Sequence, residues 1–253
     1  MEATYDKVTD DKAPEQKRAY WEVAFGLQAV DNLKPSAYVR KLADEHIQGE
    51  KTYKQVTEAT SAYYEHHFDA DEKEADKVSE AIYAILADEA FRFDIPTLKS
   101  YHRRLFSGLD AKIYHPGEFR TVNLTKKEPV LGGKSVQYQD YGMIAESLEY
   151  DFTEEAGQNY LKMTSDGKVQ RIATFCSRIW QVHPFYEGNT RTTAVFIEKY
   201  LMSMGYKVDN EVFREHSKEF RDALVLANYT NIPQGIKADS AQLLHFFREI
   251  LAE

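Results

Sequence analysis

Within nine residues, His183-Pro184-Phe185-Tyr186-Glu187-Gly188-Asn189-Thr190-Arg191, the chain gathers an imidazole, a carboxylate, a Gly-Asn pair and a guanidinium, then enters the apolar helical run TTAVFIEKYLMSMG. That set suits transfer of a phosphorus centre to a hydroxyl. Gly188 and Asn189 at the start of a helix direct free backbone N–H groups outward, where the helix dipole also favours an anion. Glu187 is a carboxylate able to hold Mg²⁺, an ion that takes few protein carboxylates and completes its shell with phosphate oxygens and water. Arg191 offers a forked contact to another phosphate oxygen. His183, whose ordinary pKa lies near working pH, can serve as a general base. Each residue has an ordinary reading too: His183 as a structural histidine, Gly-Asn as loop chemistry, and Glu187 with Arg191 as a surface i,i+4 pair worth about 0.2–0.5 kcal/mol. The combination carries the functional reading.

The elements that must position this loop are helical. Val169, Ile172, Phe175, Ile179 and Val182 form a stripe over 168–182 that runs directly into His183, and Phe196, Ile197, Tyr200, Leu201 and Met204 mark a buried helix after the loop, which Gly205 ends. Upstream, residues 15–31 place Tyr20, Val23, Ala24, Leu27 and Val30 on one face; Ser36 reads as an N-cap, and Thr52 with Gln55 has capping-box spacing. This predicts a three-helix unit ending near Phe68. The acidic stretch from Asp69 to Glu74 reads as a solvated boundary or a helix start. Pro96 suits the first turn of a helix that stops by Gly108. Between Glu118 and Tyr138, Phe119, Thr121, Val122, Val130, Val136 and Tyr138 flank the turn Leu131-Gly132-Gly133-Lys134, which predicts one β-hairpin. Further helices are expected over 140–163, 211–228 and 239–252.

Composition bounds the setting. The 253 residues can bury a full core, and the net charge of -9 argues against broad nucleic-acid binding. The single cysteine, Cys176, favours a reducing compartment. No apolar run resembles a signal peptide or approaches the roughly 18 residues of a membrane span, so a cytoplasmic protein without membrane contact is expected.

HPFYEGNTR resembles the signature of the Fic family, His-x-Phe-x-(Asp/Glu)-Gly-Asn-Gly-Arg-x-x-Arg. GEFRTVNL at 117–124 and the hairpin after it resemble the Fic flap, and FREHSKEFRDALVLANY at 213–229 resembles the helix behind the nucleotide. The resemblance covers roughly 76–232. It implies a mainly α fold, a Fic-type helical core with one β-hairpin flap, and a protein adenylyltransferase that moves AMP from ATP to a Ser, Thr or Tyr hydroxyl of a target protein. In that scheme His183 is the base, Glu187 holds Mg²⁺, and Phe185 is a core anchor. Gly188, Asn189 and Thr190 form the anion hole, Arg191 binds a phosphate, and Asn228 contacts the nucleoside. The target segment pairs with the flap at about 119–138. Self-modification is open, with 17 Tyr residues in the chain.

VDNLKPSAYVRKLADEHIQG resembles the antitoxin-like helical module that some Fic proteins carry, which implies a division into 1–70, regulatory, and 71–253, the Fic domain with its C-terminal helices. The family's inhibitory motif, (Ser/Thr)-x-x-x-Glu-(Gly/Asn), falls on Leu27 to Asn32, so that Leu27 replaces the hydroxyl residue and Asp31 the glutamate. Two positions of the signature also depart: Thr190 replaces glycine and Ala194 replaces the second arginine. Related Doc proteins carry lysine at the Thr190 position and transfer phosphate with the nucleotide reversed. Phosphotransfer, or use of another nucleotide, is therefore the second expectation, and a nucleotide- or peptide-binding module without activity is the third.

Overall fold

A computed structural model describes residues 12–206 and 210–251. Eleven α-helices occur among them: α1 (Pro14–Gly26), α2 (Ala37–Ile47), α3 (Tyr53–Tyr63), α4 (Ala70–Ala87), α5 (Ile95–Phe106), α6 (Ala111–Tyr114), α7 (Ile144–Ala156), α8 (Ser165–Val182), α9 (Asn189–Ser203), α10 (Asn210–Asn228) and α11 (Ala241–Ile250). Helix α9 is the axis of the molecule, with every residue from Asn189 to Leu201 buried. A helix apolar on one stripe would leave its other faces wet, whereas this one is covered by α5, α8, α4 and the 3-10 turn Leu27–Asp31. No helix among the described residues is long and apolar enough to cross a membrane.

The expected stops and starts are met by side chains. Ser36 accepts from the Val39 N–H at the start of α2, Thr52 and Gln55 form a reciprocal capping box on α3, and Pro96 lies in the first turn of α5. Asp69 caps α4, so the acidic stretch is a helix start rather than a linker. The N-terminal helices do not stand apart. Helix α1 packs on both α4 and α10, Trp21 stacks on Tyr83 with ring centroids 4.7 Å apart, and the Ser36 hydroxyl donates to Asp76 Oδ2 at 2.6 Å. One apolar cluster runs from Tyr20 through α9 to Ile250.

Two sequence expectations are corrected. The helix read over 15–31 ends at Gly26 and tightens into the 3-10 turn Leu27–Asp31, closed by Asn32 in the left-handed conformation (φ 58°). The β-hairpin is not formed: no strand occurs among the described residues, and the flap has one antiparallel bridge, Glu128 to Lys134, around the 3-10 turn Pro129–Leu131. Pro129 lacks the N–H that would extend the pairing, and Arg120 and Glu128 bury their charged ends against the helices instead of facing solvent across a ladder.

Candidate active site

The stripe of α8 buries Val169, Ile172, Phe175, Ile179 and Val182 and delivers His183 just past the helix end, in the left-handed conformation (φ 50°). Its N–H donates to Trp180 O at 3.1 Å, and its Nδ1 lies 3.3 Å from the same carbonyl. A carbonyl only accepts, so Nδ1 carries the proton and Nε2 keeps the lone pair. The ring stacks on Tyr138 of the flap, centroids 3.8 Å apart, and meets Trp180 edge-on. Burial, reinforced by the positive charge of Lys126, pushes the His183 pKa down to about 3, which keeps the imidazole neutral.

The loop between α8 and α9 is closed by its own side chains. Asn189 Oδ1 accepts from the Phe185 N–H at 2.9 Å and its Nδ2 donates to Phe185 O at 2.8 Å. Phe185 is buried flat against His102, centroids 3.8 Å apart, the core anchor expected of it. His102 in turn donates from Nε2 to Glu187 O at 3.0 Å and accepts the Gly117 N–H on Nδ1 at 2.9 Å, a neutral tautomer that burial favours by holding its pKa to about 4. Gly188 has φ 72°, and a Cβ there would lie 2.1 Å from Phe106 Cζ. The glycine is thus demanded by packing on α5 as well as by the turn. The first turn of α9 receives no side-chain cap, so its N–H groups remain available to an anion. The Glu187 side chain is exposed beside it.

Thr190 does not face that mouth with a free hydroxyl. Its Oγ1 accepts from Trp180 Nε1 at 3.0 Å in the interior, tying α9 to α8. Ala194, one turn later, is fully buried. Asn228 donates to Ser177 Oγ at 2.9 Å and to Leu224 O at 2.8 Å, and these partners lie on α8 and α10 rather than on the loop.

Arg191 is the residue whose surroundings differ most from expectation. It is 2% exposed and already neutralised. Its Nε lies 2.9 Å from Asp31 Oδ2, off hydrogen-bond alignment, while one terminal nitrogen donates to Glu74 Oε1 at 2.6 Å and the other to Gln28 Oε1 at 3.1 Å. The guanidinium also sits over the Phe106 ring, 5.1 Å from its centroid. A second arginine completes the network: Arg221 of α10 donates to Asp31 Oδ1 at 2.8 Å, to Val30 O at 3.0 Å, and to both oxygens of Glu128 at 3.2 and 3.1 Å. Burial opposes the charge on Asp31, but Arg191, Lys126 and Arg221 together outweigh it and hold the carboxyl below its usual range. Tyr138, the ring over His183, donates to Glu128 Oε1 at 3.3 Å, so contacts run unbroken from the imidazole to Arg191.

Sequence reasoning missed Gln28, Glu74, Glu128 and Arg221. Arg221 interrupts the face of α10 that otherwise buries Phe220, Ala223 and Leu224, which is a legible signal of an inward cation. Glu74 offers none, because its neighbours Asp71, Glu72 and Lys73 look solvated. Among the described residues no group of three or more His, Cys, Asp or Glu could hold a metal. One exposed carboxylate beside an uncapped helix start does fit an ion that takes most of its ligands from a nucleotide's phosphates and water.

No curated protein sequence matches this chain. Solved structures do resemble it. The N-terminal FIC domain of Bep8 from Bartonella sp. 1-1C aligns with a TM-score of 0.52 at 20% identity, covering 77% of this chain and 86% of that one. BepC from Bartonella tribocorum, solved with bound AMPPNP, gives a TM-score of 0.54 at 18% identity over 71% and 84%. A Fic family protein from Desulfovibrio desulfuricans G20 gives 0.60 at 12% identity, over 94% of this chain and 65% of that one. At such identities the likeness is one of fold. The Fic/DOC family model matches residues 92–201, from just before α5 through most of α9, so the whole loop lies within the stretch that matches the Fic/DOC family.

Proposed function

We propose that this protein transfers AMP from ATP to a hydroxyl side chain of a target protein. The observation that supports this best is the loop itself: a neutral imidazole with its Nε2 lone pair free, an exposed carboxylate and an uncapped helix N-terminus lie between His183 and Asn189. His183 would take the proton of the attacking hydroxyl, and the N–H groups of Gly188, Asn189 and Thr190 would meet the phosphates. Glu187 would hold Mg²⁺, which when bound neutralises phosphate charge. The relative solved with AMPPNP makes a nucleotide the natural ligand to try. The target segment would lie along the flap, where Val122 and Val130 are exposed.

In this reading Arg191 meets a phosphate only after Asp31 leaves it, so the 3-10 turn Leu27–Asp31 restrains the enzyme. The same engagement favours a second reading, a nucleotide-sensing module that binds without transferring. The test uses Mg²⁺ and ATP labelled separately at the α- and γ-phosphates, incubated with cell extract, for the native protein, His183→Ala and Asp31→Asn. Retained α-label lost in His183→Ala, by about 10²–10⁴-fold, is expected. Retention of γ-label alone would mean phosphotransfer, and absence of His183-dependent label even in Asp31→Asn would leave the sensing module.

A further inference from the structure

Arg120 is 2% exposed, yet no carboxylate among the described residues lies within ion-pair distance of it. Its donors go to backbone oxygens. Nε donates to His183 O at 2.7 Å, one terminal nitrogen to Val122 O at 2.6 Å, and the other to Gln139 O and, at 3.3 Å, to Val182 O. Its own backbone N–H donates to Pro184 O at 2.8 Å. Asn123 Oδ1 sits 3.4 Å from the same guanidinium and accepts the Tyr141 N–H at 2.9 Å. A single side chain thus fastens both legs of the flap, at 122–123 and at 139, to the three residues 182–184 that carry the imidazole.

Burying a guanidinium with no carboxylate in direct contact, and only the more distant charge of Asp140 to support it, is costly, and a planar fork of five donors on carbonyls of separate segments is the arrangement that offsets it. The left-handed backbone of His183, unusual for a residue with a Cβ, needs such over-determination. The geometry points to Arg120 as the positioning residue for His183: it locks the carbonyl of the base and makes its alignment depend on a seated flap. This rests on the reading of His183 as the base.

The experiment compares Arg120→Lys, Arg120→Gln and Asn123→Ala with the native protein and His183→Ala. Turnover of α-labelled ATP at saturating nucleotide with cell extract, the apparent KM for ATP and the NMR titration of the His183 ring are read for each. Both Arg120 variants are expected to lose about 100-fold in turnover, the scale set by roughly 1 Å of misplacement, with KM within about twofold. Their His183 ring should also begin to titrate toward an ordinary histidine value as water reaches it. Asn123→Ala, an exposed change that leaves Arg120 in place, should lose about fivefold, the equivalent of one ordinary hydrogen bond. Native turnover in a folded Arg120→Lys, or in Asn123→Ala should the Arg120 variants not fold, would overturn the proposal while leaving His183 as base. Transfer that survives in His183→Ala would instead remove the base reading, and the proposal with it.

Discussion

The two ends of the HPFYEGNTR loop are held by opposite physics. At the His183 end every contact is neutral or runs to a backbone carbonyl: Trp180 O, the Tyr138 ring and Arg120 on the His183 carbonyl. At the Arg191 end the contacts are charged, with Asp31 and Glu74 on Arg191 and with Asp31 and Glu128 on Arg221. The difference teaches where this molecule can respond. A dry, carbonyl-bonded imidazole changes with pH and with packing, whereas a cluster of carboxylates around two arginines changes when a stronger anion competes for the guanidinium groups.

The largest contrast is in pH. His183 and His102 have folded pKa values of about 3 and about 4, below an unfolded value near 6.5, so each disfavours folding once the unfolded chain binds the proton. Their effect is absent above the unfolded pKa, sets in as pH falls through about 6.5, and grows until the folded value is reached. From pH 7.5 to 5.0 the penalty is about 2 kcal/mol for each histidine, about 4 kcal/mol for both. Urea unfolding at the two pH values should show His102→Gln and His183→Gln each losing about 2 kcal/mol less stability than the native protein over that range. Equal losses would mean the loop is wetter than its burial implies.

At the charged end, Asp31→Asn leaves two buried arginines with one carboxylate each. A loss of about 3 kcal/mol is expected, read as a lower unfolding midpoint, because removing one partner of a buried pair strands charge. ATP with Mg²⁺ should restore more stability to this variant than to the native protein, since phosphates would no longer compete with Asp31. A variant as stable as the native protein and indifferent to ATP would break the contrast between the two ends.

Between the ends, Gly188→Ala drives a methyl group into the Phe106 ring at a positive φ and should cost about 2–3 kcal/mol. Thr190→Gly should have the smallest effect. It takes the acceptor from Trp180 Nε1 and should cost about 1 kcal/mol, while labelled transfer stays within about twofold. A clear gain in transfer would show that the threonine narrows the anion site after all.

The periodicity of α8 and α9 and the loop between them follow from residue spacing, as do the caps at Ser36 and Thr52, because hydrophobic period and N-cap chemistry are local properties. The flap departs from its local signal. Val130, Val136 and Tyr138 have the composition of strands, while Glu128 and Arg120, which override it, are satisfied by partners far along the chain. Thr190 and Ala194 stand out as departures from a motif, but the side on which each is buried is not a property of spacing.

By itself the sequence determined the residues of the loop, their order, the two helices that flank them and the turn that Gly188 allows, since each depends on neighbours within about one helical turn. The tertiary structure decided what surrounds them. Gln28 and Asp31 reach Arg191 across 163 and 160 positions only because the helix from Pro14 ends at Gly26 and turns its last residues inward. Charge pairing at that separation has no local signature. The carboxylates that face Arg191 and Arg221 come from the 3-10 turn, α4 and the flap, and only their packing around α9 and α10 makes one network of them.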